Sequence, residues 1–140
     1  MKYHPHDHAF TIPVRVYYED TDAGGIVYYA NYLKFFERCR TEWMRQAGHD
    51  QSRLAAEQRV LFVVRKANCE YLRPARLDDL LHIGLEVEKL TRVRVVFRQH
   101  ARRGEEELVC GSVEIACVDA DTLTPAPIPD FLHSQLEALK

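Results

Sequence analysis

Two aspartates and a pair of glycines come shortly before a long predicted helix. Asp20 and Asp22 are followed at once by Gly24 and Gly25. The first turn of a helix presents unpaired N–H groups and a partial positive charge, so it can polarise a carbonyl oxygen. If that oxygen belongs to an ester or thioester, a nearby carboxylate can attack the carbonyl carbon or activate water. Glycines would let a substrate approach the backbone closely, although aspartates before a helix are more often simple caps.

The helix that would carry this chemistry is predicted from about Tyr28 to Ala47. Its apolar residues recur at three- and four-residue steps, which places them along one stripe. The stripe contains Tyr29, Leu33, Phe36, Cys39, Trp43 and Ala47. Gly48 is typical of a helix stop, and a short second helix is expected from Asp50, as N-cap, to Gln58.

Extended segments surround these helices. Residues 13–18 alternate in the manner of a half-buried strand, and three longer segments are rich in strand-forming residues. These segments are 59–73, 80–103, with a turn expected near Thr91, and 107–119. The order predicts an α+β domain in which one long helix packs on an antiparallel sheet. Uncovered sheet edges favour pairing between subunits, so at least a dimer is expected.

Length and composition limit the classes of function. The 140 residues predict a single domain over 1–140, with a flexible leader at 1–9 and a possible C-terminal helix at 128–140. A net charge of −2 argues against a nucleic acid partner. The four cysteines form no CxxC pair and are interpreted as reduced thiols. Without a signal-like segment or a membrane span, a cytoplasmic protein is expected.

Several stretches resemble the 4-hydroxybenzoyl-CoA thioesterase family, and within it the Tol-Pal-associated acyl-CoA thioesterases. The likeness rests on Val16–Leu33 and Phe35–Trp43, and it continues through Phe62–Lys66 and Tyr71–Asp79. It covers most of residues 13–120. The resemblance implies a hotdog fold, with one long central helix wrapped by a curved antiparallel sheet of about five strands. It also implies acyl-CoA thioester hydrolysis at sites on a dimer interface, in a homodimer or homotetramer.

By position, the resemblance assigns roles to individual residues. Asp22 matches the catalytic carboxylate, acting as nucleophile or general base, and the backbone N–H of Tyr29 matches the group that polarises the thioester carbonyl. Gly24, Gly25 and Tyr28 are expected to shape the substrate pocket. Many relatives have His at position 29, where this chain has Tyr.

The phosphates of CoA suggest basic contacts. Arg92 and Arg94 lie roughly where the family places them, and Arg65 is a further candidate. The alternative for Arg92 and Arg94 is the outward face of an alternating strand, and Arg65 could face solvent or an interface. The sequence does not decide between CoA and acyl carrier protein as the carrier of the acyl group.

Other functions fit less well. Asp20 to Gly24 begins like a calcium loop, but position five is glycine and position twelve is Asn31. His4, His6 and His8 alternate in the leader, yet no metal and no cofactor is assigned. A non-catalytic module that binds an acyl chain or acyl carrier protein remains the main alternative, and a dehydratase on the same fold is the weaker one. A pure binder would not need a carboxylate facing a helix N-terminus.

Overall fold

A computed structural model describes residues 10–140, so the predicted leader at 1–9 lies outside the described part of the chain. Five strands and three helices make up the domain. The strands are β1 (Phe10–Arg15), β2 (Val60–Tyr71), β3 (Leu80–Leu90), β4 (Arg94–Arg103) and β5 (Glu106–Asp119). The helices are α1 (Asn31–Gln46), α2 (Gln51–Arg53), which continues into a π-helical turn at Leu54–Gln58, and α3 (Asp130–Glu137).

The five strands form one antiparallel sheet in the order β1-β3-β4-β5-β2, and α1 packs across one face of it. The apolar stripe of α1 drives this packing: Phe36, Cys39 and Trp43 are buried, together with the adjacent Phe35, whereas Leu33 of the stripe is exposed. Ile83 and Leu85 of β3 lie in the same core. The sheet face toward α1 is called the inner face below.

Helix α1 begins at Asn31, three residues later than the periodicity predicts. The preceding residues are held in an extended conformation by hydrogen bonds to distant parts of the chain. The N–H of Val27 donates to Ala75 O, and the N–H of Tyr28 donates to Asp20 O, both at 2.9 Å. Val27 is thus paired with Thr21 in a bridge, and the first turn opens at Tyr28, whose carbonyl oxygen accepts from the N–H of Asn31.

The helix stop, the helix cap and the turn predicted at Gly48, Asp50 and Thr91 are all present. Gly48 has φ +91° directly after the end of α1, a conformation that favours glycine. The Asp50 carboxylate accepts hydrogen bonds from the N–H groups of Ser52 and Arg53 at 2.8 and 3.2 Å. The N–H of Thr91 donates to Arg94 O at 2.8 Å, closing the predicted turn between β3 and β4.

Strand β1 occupies Phe10–Arg15, earlier than the expected 13–18, because Tyr18–Asp20 form a 3₁₀ turn instead of continuing the strand. Strand β2 forms the opposite edge of the sheet and is exposed along most of its length. A β-bulge interrupts its pairing with β5 at Arg65. None of the described helices has both the length and the apolar character needed to cross a bilayer.

Candidate active site

The segment after the 3₁₀ turn folds into a tight hairpin. Thr21 and Val27 form an isolated antiparallel bridge. Inside it, the N–H of Asp22 donates to Ile26 O at 2.9 Å, and the N–H of Gly25 donates back to Asp22 O at 3.0 Å. Gly25 adopts φ +79°, which a residue with a Cβ atom rarely does. The hairpin thus presents Asp22 at an exposed tip just before α1.

The Asp22 carboxylate is held at one oxygen only. Its Oδ1 accepts a hydrogen bond from the N–H of Gly24 at 2.8 Å. A Cβ atom at position 24 would lie 3.2 Å from that same oxygen, so glycine allows this close approach. Within residues 10–140 the second oxygen, Oδ2, has no hydrogen-bond partner. One oxygen orients the carboxylate and the other faces outward, available for chemistry.

Asp20 has a different environment, because its side chain is buried. Its Oδ2 accepts from the N–H of Tyr17 at 2.8 Å, and its Oδ1 accepts from Nδ2 of the buried Asn31 at 2.7 Å. Its carbonyl oxygen also accepts from the N–H of Tyr28. Asp20 therefore fastens the hairpin to the first residue of α1, and both of its carboxylate oxygens are occupied.

The N-terminus of α1 carries no side-chain cap, since the N-cap residue is Ala30. The carbonyl oxygen of Tyr28 accepts from the N–H of Asn31 at 2.8 Å. The peptide unit that contains this carbonyl also contains the Tyr29 N–H, which points the opposite way in a trans peptide. In the described part of the chain the Tyr29 N–H has no acceptor. It is a free donor at the positive end of a helix, polarised by the bond behind it.

Tyr71, at the end of β2, supports this donor from the other side. Its hydroxyl donates to Tyr29 O at 3.1 Å, and the two rings meet edge to face with centroids 6.1 Å apart. Partial burial, together with the neighbouring Cys69 thiol, raises the pKa of Tyr71 to about 12. The phenol therefore stays protonated, and remains a donor, at neutral pH. Sequence reasoning missed this residue, whose one signal was its place at the start of the family-like segment Tyr71–Asp79.

Aromatic rings surround the entrance to the site. The rings of Tyr28 and Tyr29 lie 4.9 Å apart, and those of Tyr32 and Tyr71 lie 5.8 Å apart. A hydrogen bond between the Tyr28 and Tyr29 side chains raises the pKa of Tyr28. Tyr28 and Tyr29 are largely exposed, so they form an apolar surface beside Asp22 that a substrate or a second subunit could cover.

The candidate phosphate contacts lie elsewhere in the single chain. Arg65 and Arg94 both approach Glu114 Oε2, at 3.9 and 3.4 Å, on the outer face of the sheet. Arg92 lies in the exposed turn between β3 and β4. Arg65 precedes Tyr71 by six residues, or about 20 Å along a strand. The structure therefore places Asp22, Gly24 and Gly25 in one hairpin and Tyr28, next to Tyr29, in a hydrogen bond to Asp20 at its base, and it leaves the arginines apart from them within one chain.

Comparison with known proteins identifies the family of this chain. The model of the Thioesterase superfamily matches residues 24–110, which is more than half of the chain. The chain belongs to the thioesterase superfamily. The matched span contains the Tyr28–Tyr29 segment and begins two residues after Asp22. This membership confirms the family resemblance inferred from the sequence.

Full-length relatives of this thioesterase-superfamily chain extend the match to nearly every residue. It is 42% identical over 134 residues to "Acyl-CoA thioesterase YbgC" of Haemophilus influenzae, covering 96% of this chain and 98% of that protein. It is 48% identical over 129 residues to "Acyl-CoA thioester hydrolase YbgC" of Escherichia coli, covering 91% and 96%. The "Probable Thioesterase from Bartonella henselae" superposes with a TM-score of 0.82 at 38% identity, covering 86% of this chain and 100% of that one. The hotdog expectation is confirmed.

The two aspartates should respond differently to substitution. Asp20→Ala leaves the Tyr17 N–H and the buried Asn31 amide without their acceptor, so we expect the free energy of unfolding to fall by about 1–3 kcal/mol. Asp22→Ala serves as the control and should stay close to wild type, because its side chain is exposed. Urea denaturation followed by circular dichroism measures both. Equal losses in the two variants would contradict the structural role given to Asp20.

Proposed function

We propose that this chain hydrolyses acyl-CoA thioesters to the free acid and CoA. One observation carries the proposal: the hairpin and helix form a single hydrogen-bonded unit that presents a free carboxylate oxygen of Asp22 and a free N–H of Tyr29. Those are the two groups that acyl transfer needs, a nucleophile or base and an oxyanion donor. The Haemophilus influenzae and Escherichia coli relatives, named as an acyl-CoA thioesterase and an acyl-CoA thioester hydrolase, support CoA as the thiol.

In the proposed mechanism the thioester carbonyl oxygen accepts a hydrogen bond from the Tyr29 N–H. Negative charge that develops on this oxygen is stabilised by the N-terminal end of α1. Asp22 then acts in one of two ways. It attacks the carbonyl carbon, expelling CoA thiolate and leaving an acyl anhydride that water cleaves, or it takes a proton from the water that attacks directly. In both routes the thiolate gains a proton and one water is consumed.

The surrounding residues have supporting roles. Gly24 and Gly25 keep the hairpin tip narrow, so that the thioester can reach the backbone, and Tyr28 lines the entrance. Tyr71 keeps the Tyr29–Ala30 peptide in place through its hydroxyl, which orients the neighbouring Tyr29 N–H. Both CoA and acyl carrier protein present the same phosphopantetheine thioester, so the site accepts the acyl group from either carrier.

A homodimer or homotetramer is part of the proposal. The edge strand β2 presents unpaired backbone groups and exposed apolar side chains, among them Val63, Val64 and Tyr71. A second copy pairing along this edge would cover both. Arg65, Arg92 and Arg94 remain proposed phosphate contacts, and their separation from Asp22 means that they would serve the site of another subunit.

Replacing Asp22 tests the proposal most simply. We expect Asp22→Asn to lower kcat by at least about 100-fold, since general-base catalysis contributes roughly 10²–10⁴. KM should change little, because carboxamide and carboxylate have nearly the same shape. Thiol release from a panel of acyl-CoAs measures both constants.

Asp130→Asn, an exposed aspartate at the start of α3, is the matched control and should behave as wild type. Wild-type turnover in Asp22→Asn would exclude the carboxylate from the reaction. Binding of acyl-CoA by the wild-type chain with no thiol release from any substrate would instead favour the non-catalytic binding module.

Substitutions at position 29 distinguish the catalytic role of the backbone N–H from that of the side chain. The oxyanion donor is an amide that every residue except proline supplies, so Tyr29→Phe and Tyr29→His should keep kcat within about tenfold of wild type. We expect chain-length preference to shift with the size and polarity of the ring. Tyr29→Ala and Tyr29→Pro both lack the ring, but only proline lacks the N–H. The proline variant should be slower than the alanine variant by about 10²–10³ in kcat.

Steady-state kinetics on variants with matched urea midpoints makes the comparison. If Tyr29→Phe abolished hydrolysis in a folded protein, the phenol itself would be catalytic. Equal rates for the alanine and proline variants would show that the Tyr29 N–H is not the oxyanion donor.

A further inference from the structure

One face of α1 leads away from the Tyr29 donor along the helix. Its residues follow one another at three- and four-residue steps, so they lie in a row. The row runs from Tyr29 through Leu33, Glu37, Thr41 and Met44. Leu33 is exposed, and Thr41 and Met44 are half-buried, so the row is open to a ligand in the single chain.

The edge strand β2 provides the facing wall. Tyr71, Ala67 and Val64 pair with Val109, Val113 and Ile115 of β5, which are buried on the inner face. Paired residues of adjacent strands point to the same face, so these β2 side chains point toward the helix side as well. The hydrogen bond from Tyr71 to Tyr29 joins the two walls at one end. The strand register and the helix periodicity therefore place a groove between the two walls, apolar except for Glu37 and Thr41, that starts beside Tyr29.

The groove leads to a cavity of about 170 Å³ between α1, the sheet and α3. Most of its wall is apolar, with Met44, Phe62, Val64, Phe97, Ile115 and Leu132 among the lining residues. On the helix side Glu37, Arg40 and Thr41 also line the cavity, and Arg40 is the only cation among its described lining residues. A cation in an apolar wall needs a compensating partner.

Arg40 lacks such a partner within the chain as described. Its Nη1 donates to Oε1 of the fully buried Gln99 at 2.8 Å, and Gln99 Nε2 donates in turn to Phe36 O at 3.0 Å. Across residues 10–140 this is the only hydrogen bond of the guanidinium, and no carboxylate lies within 4.0 Å of it. The carboxylate of Glu37, one turn away, accepts from the hydroxyl of Thr41 instead. Burial lowers the pKa of Arg40, and the nearby negative charge of Glu37 opposes this shift only in part.

The distance from the reaction centre follows from helix geometry. Phe36 and Arg40, which bracket the Gln99 amide, come seven and eleven residues after Tyr29, or about 10–16 Å along the axis. Carbon–carbon bonds of about 1.5 Å advance an extended chain by roughly 1.25 Å per carbon. An acyl group of about eight to twelve carbons therefore spans from the Tyr29 N–H to the guanidinium.

We propose that the groove binds an acyl chain of this length whose far end carries a carboxylate, and that Arg40 binds that carboxylate. The inference rests on the proposed function, because it names the acyl class that Asp22 would release. A guanidinium has five N–H donors in a planar fork that fits a carboxylate through two parallel bonds. A methyl-terminated chain of equal length would fill the groove but leave the half-buried cation without a carboxylate partner.

The test compares two ten-carbon substrates that differ only at the far end. These are decanoyl-CoA and the monothioester of decanedioic acid with CoA. We expect wild-type protein to prefer the carboxylate-ended substrate by about tenfold or more in kcat/KM, a range typical of a charge-assisted hydrogen bond. Arg40→Met should lose or reverse this preference. Arg45→Met, which removes an exposed arginine from the same helix, should retain it.

A conservative variant and a binding measurement test the Arg40 subsite even if Arg40→Met is unstable or no substrate is hydrolysed. Arg40→Lys preserves the charge but not the fork, and it should keep a reduced preference even if Arg40→Met proves unstable in urea. Calorimetry of free decanedioate and decanoate binding tests the subsite without hydrolysis, and decanedioate should bind more tightly. The inference would be overturned if an active wild-type enzyme had the same kcat/KM for both substrates. It would also be overturned if folded Arg40→Met kept the wild-type preference. Release of thiol from neither substrate, with decanedioate still preferred in calorimetry, would overturn the proposed function and leave the subsite standing.

Discussion

The buried carboxylate of Asp20 is the interaction on which the rest of the site depends. A charge out of water is tolerated only when hydrogen bonds satisfy it, and here the Tyr17 N–H and the Asn31 amide do so. Because those donors belong to the segments before and after the hairpin, satisfying one carboxylate fixes the entry of α1. Tyr28 is thereby held in an extended conformation, and the Tyr29 N–H is left without a partner. Asp22, two residues after Asp20, is left at the hairpin tip with one oxygen free.

Strand β2 is exposed because it lies at the edge of the sheet and α1 covers little of it. An isolated chain leaves its edge unpaired and its inner face only partly covered by α1. This incomplete covering leaves room both for a partner subunit along the edge and for a ligand in the groove beside the helix. The groove starts at the proposed reaction centre, since Tyr71 and Tyr29 form its closed end. The proposed assembly and the proposed acyl subsite would therefore both depend on one strand.

Much of the fold was predictable because its signals are local. Helical periodicity, the Gly48 stop and the Asp50 cap all act within a few residues. The start of α1 was misplaced because the bonds that hold Val27 and Tyr28 extended come from Ala75 and Asp20. At the site, the family resemblance pointed to Asp22 and Tyr29. It could not indicate Tyr71 or Arg40, whose contacts span 42 and 59 residues and exist only once the sheet has formed.

The central claim is that a thioester carbonyl binds between the Asp22 carboxylate and the Tyr29 N–H. A crystal structure with an uncleavable acyl-CoA analogue, in which a methylene replaces sulfur beside the ketone, tests it most directly. The account predicts that the ketone oxygen lies about 2.7–3.1 Å from the Tyr29 nitrogen, with an Asp22 oxygen facing the carbonyl carbon directly or through one water. A ketone bound away from both groups in a fully occupied complex would contradict it.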